Sequence, residues 1–349
     1  MSSQSSSTDF IITLESIATY LFRYGGLILV VFGSISCILN IIVFSQRTLR
    51  KNSCATCLVV ENIFNLLFIN SLLLSITLES GYNVYFTSKN IILCRLCYYT
   101  SLFSNVLSSY CLILASIDRV FITSPNVSTR QRSTLRFSYF CIIGGTIFWM
   151  LFHSPSLAFT NIIQIGENID MCFYQVGFYL TFISFYSIIK ESSSTLLLLI
   201  CGIWAVKNIR RLRRITFSIA SSNNGNARVV GSHIIHSKDR QFVWMVLIDI
   251  LLYAIFCSMA AIFLTHQQIT QYQQKSIEQV QLDIFLKQIT VFCLHIPFDI
   301  TGDTNSIPPN RHGEILIEQG KSWALVLLAG YFSLIGYHIN VACYSDYLS

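Results

Sequence analysis

Residues 24–46 read YGGLILVVFGSISCILNIIVFSQ, a stretch with no charged side chain. A helix needs about 20 mostly apolar residues to cross a ~30 Å hydrocarbon core, and this stretch supplies them. Comparable runs lie at 56–78, 92–122, 138–160, 177–206, 242–265 and 323–344, with a weaker one at 281–300 that carries Asp283, Lys287 and Asp299. The 349-residue chain is 53% hydrophobic and 11% charged, and its mean hydropathy is +0.58. A soluble domain has about 25% charged residues, so this chain cannot surround so large a core with a solvated shell. The expected fold class is an all-α membrane protein, a seven-transmembrane helix bundle. In that bundle 1–23 is a short extracellular tail, 24–345 is the helical domain, and 207–240 is the third cytoplasmic loop. The seventh helix is either 281–300 or 323–344. No cleavable leader pattern opens the sequence, so the first span is expected to act as its own signal-anchor.

The net charge of +6 is informative through its placement. Arg47, Arg50 and Lys51 follow the first span, Arg119, Arg130, Arg132 and Arg136 the third, and Lys207, Arg210, Arg211, Arg213 and Arg214 the fifth. Alternate loops hold few basic residues. The positive-inside rule makes these three loops cytoplasmic and the N-terminus extracellular. The basic residues are thereby read as a topology signal, and no nucleic-acid partner is expected. The 12 cysteines fall mostly within apolar runs, where Cys behaves as a small hydrophobe. The pairs Cys54/Cys57 and Cys94/Cys97 fall on opposite sides of the membrane and cannot share a metal. Neither a nucleophile–base pair, an HExxH helix nor a Gly-rich phosphate loop occurs. The chain is therefore expected to be no enzyme and to carry no cofactor or metal. Gly25, Gly26, Gly33, Gly144 and Gly145 lie in the runs, as suits helices that approach closely.

The third run carries the most specific pattern: CRLCYYTSLFSNVLSSYCLILASIDRV, from Cys94 to Val120. The 25 residues between Cys94 and Arg119 span about 37 Å of helix, enough to set one at each face of the membrane. Asp118-Arg119-Val120 closes the run. Gly33 and Asn40 stand in the first run, Asn65-Leu66-Leu67 in the second, and Trp149 with Pro155 in the fourth.

Over roughly residues 24–265 the chain resembles the rhodopsin-like (class A) G-protein-coupled receptors, in a divergent, invertebrate-type form. The resemblance implies a disulfide between Cys94 and Cys172. It implies an activation switch at Asp118, Arg119 and Val120, with Asp239 as an acid that clamps Arg119 in the resting state and with Asn340 and Tyr344 near the end of the last helix. It implies an interior polar network of Asn40, Asn65 and Ser108, to which Glu61 and Asp249 are added as intramembrane acids facing the bundle interior. The family's sodium-binding Asp is replaced by Asn65, so sodium binding is expected to be weak or absent. Other departures are the missing Tyr after Arg119, the missing proline of the fifth helix, Cys257-Ser258-Met259-Ala260 where the sixth helix has Cys-Trp-x-Pro, and Asn340-Val341-Ala342-Cys343-Tyr344 without its proline.

Ser101 stands where aminergic receptors carry an Asp, which argues against a biogenic amine. Glu167 and Asp170 in the second extracellular loop, with Lys190 and Glu191 at the start of the fifth helix, join Ser101 as candidate ligand contacts; as solvated charges there they would suit a cationic peptide, and a peptide ligand is favoured. The implied function is transmission of an extracellular signal across the plasma membrane to a heterotrimeric G protein. The alternative is a multi-span transporter or channel, which would often show internal repeats; none is visible in the sequence.

Overall fold

A computed structural model of the chain describes residues 12–47, 49–124, 126–130, 134–166, 169–175, 177–222 and 277–304, with a few positions between 256 and 270. Its architecture is helical. Helix α1 spans Ile12–Phe44, α2 Ser53–Gly81, α3 Ile91–Ile122 and α4 Leu135–Phe159. A two-stranded hairpin follows, β1 (Thr160–Gly166) and β2 (Ile169–Tyr174). Helix α5 runs over Phe178–Ser222 and α6 over Ile277–Thr304.

Five of these segments, α1 to α4 and Phe178–Asn208 of α5, are long and apolar enough to cross a membrane. They coincide with the first five apolar runs. The first begins earlier than expected, at Ile12, so part of the 1–23 tail is helical. The fifth helix continues beyond 206 to Ser222, taking up the start of the expected 207–240 loop. Most of the 242–265 run, and all of 323–344, lie outside the described residues.

Local chemistry sets the helix starts. Asn52 accepts the Cys54 amide ahead of α2, Asn90 accepts those of Ile92 and Leu93 ahead of α3, and Thr134 accepts that of Phe137 ahead of α4. Each cap satisfies amide donors that a helix start leaves open. Pro155 interrupts α4 between His153 and Ser156, as a residue with no amide hydrogen does within a helix.

Apolar side chains cover the surface, and polar ones are buried among the apolar residues of the interior. Ile28, Val31, Phe32, Ile35, Ile38, Leu39 and Ile42 of α1 are exposed, as are Phe140, Ile143, Ile147, Phe148 and Leu151 of α4. Asn40, Glu61, Asn62, Asn65, Ser104 and Ser108 are buried. A water-soluble protein does not present contiguous apolar faces of this extent; this is the surface of a membrane protein.

Lipid is as apolar as Leu, so such helices hold together by close approach and by polar bonds rather than by hydrophobic burial. Gly81 of α2 shows this. A Cβ there would stand 2.8 Å from the backbone nitrogen of Arg23, and the Gly81 carbonyl accepts the Arg23 Nε at 2.9 Å. Turns of wider, π-type geometry occur at Leu21–Gly26 in α1 and at Thr77–Gly81 in α2, where the two helices meet.

Helix α3 is the axis of the molecule, touching α2, α4, α5 and both strands. Helix α6 lies against α1 and α2: Phe292 meets Phe22 edge-to-face at 6.0 Å, and Phe22, Leu29, Ile69, Leu73, Phe292 and Cys293 share one core. A second core joins Phe44, Cys54, Cys57, Leu58, Ala115 and Ile142.

Candidate functional site

The hairpin is fixed to one end of α3. Thr160 pairs with Tyr174 and Ile162 with Cys172 across the two strands. Cys172 forms a disulfide with Cys94, at a Cα–Cα distance of 5.8 Å, so the expected pair stands at bonding distance. Arg95 donates to the Thr160 carbonyl and to the Asn161 side chain, both at 3.0 Å, and the Tyr98 hydroxyl donates to the Cys172 carbonyl at 2.9 Å. Tyr98 also meets Tyr174 edge-on at 5.1 Å. Burial holds the Tyr174 phenol well above its ordinary range, and Tyr98 and Tyr179 add to the shift.

The expectation of an all-helical chain missed this hairpin. Its signal was present: the β-branched and aromatic residues Ile162, Ile163, Phe173 and Tyr174 flank Gly166-Glu167-Asn168, a composition that favours a chain reversal. Asp170 lies in β2, while Glu167 lies outside the described residues.

Polar bonds cross the middle of the bundle. The Ser108 hydroxyl of α3 donates to the Asn65 side-chain oxygen of α2. Asn40 of α1 donates to Asn62 at 3.0 Å, and Asn62 donates to the Leu58 carbonyl at 2.7 Å. These bonds tie Asn40 to Asn62 and Asn65 to Ser108 in the interior shared by α1, α2 and α3. Glu61 is buried on the same helix, 2% exposed. Ser101 bonds to Ser71 at 3.1 Å and to the Cys97 carbonyl at 2.7 Å. It is thus a buried link between α3 and α2, not an open ligand contact. Among the described residues, no cluster of three or more His, Cys, Asp or Glu side chains has a geometry that would hold a metal ion.

Lys190 and Glu191 require a correction. They do not open the fifth helix as solvated charges. About 18 Å of helix separates Phe178 from Lys190, and both side chains are buried. They form an ion pair, and Lys190 also donates to Asn105 of α3 at 3.0 Å. Beside them, His153 of α4 shares a hydrogen bond with Tyr186 of α5 at 3.2 Å, under Trp149 and Phe152. Charges within an apolar run normally mark its edge, which is why the pair read as a boundary. Mutual pairing and the Asn105 amide let it sit inside instead.

At the opposite end of α3, Asp118 and Val120 are buried and Arg119 is half-buried. The Arg119 Nε donates to the Cys54 sulfur at the start of α2, at 3.1 Å. Asn208 of α5 donates to the Val120 carbonyl at 3.3 Å. Cys54 was expected only as half of a cysteine pair on this side; its contact with Arg119 carried no sequence signal. Asp239, Asp249, Asn340 and Tyr344 lie outside the described residues.

Helix α3 is thus pinned to the hairpin at one end, bonded to α2 along its length and carries an Asp-Arg pair at the other end. No protein-family model matches the chain, and no curated protein matches it.

Proposed function

We propose that this chain is a divergent rhodopsin-like G-protein-coupled receptor in the plasma membrane, with its N-terminus outside. The observation that supports this reading is the construction of α3, which bears the Cys94–Cys172 disulfide at one end and buried Asp118 with Arg119 at the other. In this reading the hairpin is the second extracellular loop, 242–265 is the sixth span and α6 the seventh. The ligand is an extracellular peptide that arrives at the hairpin end. Its binding releases Arg119 from Cys54 and opens a crevice, flanked by Val120, 130–136 and 210–214, to a helix of the heterotrimeric G protein.

The test is basal nucleotide exchange, measured on membranes containing the full chain and each class of Gα subunit in turn. Exchange above that of empty membranes with at least one class, lost on Arg119→Ala, is the expected result. No stimulation with any class, from protein shown to be folded, would sink the reading. A second reading, a transporter or channel, draws support from the buried Lys190–Glu191 pair and from His153, since intramembrane ionisable groups often mark ion or proton paths. Ion flux through proteoliposomes, reduced by Lys190→Leu paired with Glu191→Leu, would favour it instead.

A further inference from the structure

Helix α6 brings Lys287 to the hairpin, with its ammonium 3.8 Å from the ring centre of Phe173 in β2. Contacts hold both members of this pair. Gln288, the next residue, bonds to Ser80 of α2 at 3.3 Å. Phe173 follows the disulfide-bonded Cys172 and meets Tyr98 of α3 edge-on at 6.4 Å. Lys287 therefore stands where α2, α3, α6 and the hairpin converge.

An ammonium drawn partly out of water needs compensation. A ring face returns only part of what hydration gave. Among the described residues no carboxylate pairs with Lys287. Glu79, next to Ser80, is occupied by the Thr87 and Ser88 hydroxyls, and Glu191 pairs with Lys190. Lys287 is thus a half-buried cation seated on an aromatic ring, at the end of the bundle where the hairpin lies, with no carboxylate partner among the described residues.

We propose that Lys287, backed by Phe173, binds a carboxylate of the ligand. The inference rests on the reading that a ligand arrives at the hairpin end, and it narrows that ligand to an anionic one. The carboxylate has two possible sources, the C-terminus of a peptide or an acidic side chain. Either one would tie α6 to the hairpin, and through the disulfide to α3.

The experiment uses pyridoxal 5′-phosphate, an anionic aldehyde, on membranes containing the full chain and no G protein. Its aldehyde carbon forms an imine with a lysine amine, releasing water, and borohydride then fixes the adduct for peptide mapping by mass spectrometry. Lys89, exposed just before α3 at the same end, is the internal reference. Three competitors separate the sources: tetraglycine with a free carboxylate, tetraglycine amide with none, and N-acetyl-tetraglutamate amide with side-chain carboxylates only.

Label on Lys287 about tenfold above that on Lys89, the equivalent of roughly 1.4 kcal/mol, is the expected result. Protection by tetraglycine or by the glutamate peptide but not by tetraglycine amide completes it, and the protecting peptide identifies the source. Phe173→Leu should then lower the preference for Lys287. Label on Lys287 no greater than on Lys89, or equal protection by tetraglycine amide, would overturn the proposal. Because no G protein is present, this outcome is independent of the nucleotide-exchange test.

Discussion

Gly144 and Gly145 are neighbours in α4 that face different surroundings, and they separate helix propensity from packing. A Cβ on Gly144 would meet nothing within 4 Å, whereas one on Gly145 would run into the ring and hydroxyl of Tyr110 on α3. That Tyr110 ring is held in place by its hydroxyl, which donates to the Cys141 carbonyl at 3.0 Å. Replacing a mid-helix glycine by alanine gains about 0.5–1 kcal/mol in either position. Gly144→Ala should show that gain. Gly145→Ala carries it too but overpacks the α3–α4 contact, which costs about 1–3 kcal/mol. The two variants should therefore differ by about 1–3 kcal/mol, or a few degrees, since a chain of 349 residues shifts by less than the about 2–4 °C per kcal/mol of a 150–250-residue protein. The assay is thermal unfolding of the detergent-solubilised protein, followed by a thiol-reactive dye that reports exposure of the buried Cys37, Cys54, Cys57 and Cys111. If Gly145→Ala melts at or above Gly144→Ala, the close α3–α4 approach described above is wrong.

Other expected outcomes follow from the polar interior and the hairpin. Lys190→Ala removes the cation paired with buried Glu191 and should cost about 3–5 kcal/mol, whereas Lys190→Leu combined with Glu191→Leu should recover most of the loss; equal melting points for the single and double variants would refute the pairing. Cys172→Ser opens a loop with a sequence separation of 78 residues and should cost about 4 kcal/mol, read as a drop in melting temperature matched in the parent protein by reductant. Replacing sodium by choline should leave the melting point of the parent unchanged, while Asn65→Asp, which sets a charge beside Ser108, should gain stabilisation by sodium. A sodium shift of the parent as large as that of the variant would contradict this assignment.

The helices were legible in the sequence because lipid enforces long uncharged runs, and α2 and α3 begin and end within three residues of the runs at 56–78 and 92–122. The ends of α1 and α5 were not, since Ile12–Arg23 and the basic segment after 206 are helical without being apolar enough to read as membrane. The Cys94–Cys172 pair was legible only through resemblance, because twelve cysteines permit many pairings. The burial of Lys190 and Glu191 was not legible: what permits it is Asn105, distant in sequence and adjacent only once α3 and α5 have packed. The Arg119–Cys54 contact was hidden for the same reason.

The disulfide has a further consequence for how the chain can be divided. The backbone from Cys94 through α3, the 123–134 connection, α4 and β1 to Cys172 is a closed covalent ring. Protease cleavage anywhere in 123–134 turns one polypeptide into two without detaching either from the other. The nicked molecule would run as a single species on a gel until reductant is added and as two afterwards. The same ring makes that connection a natural place to express the protein as two separately encoded chains that oxidation rejoins.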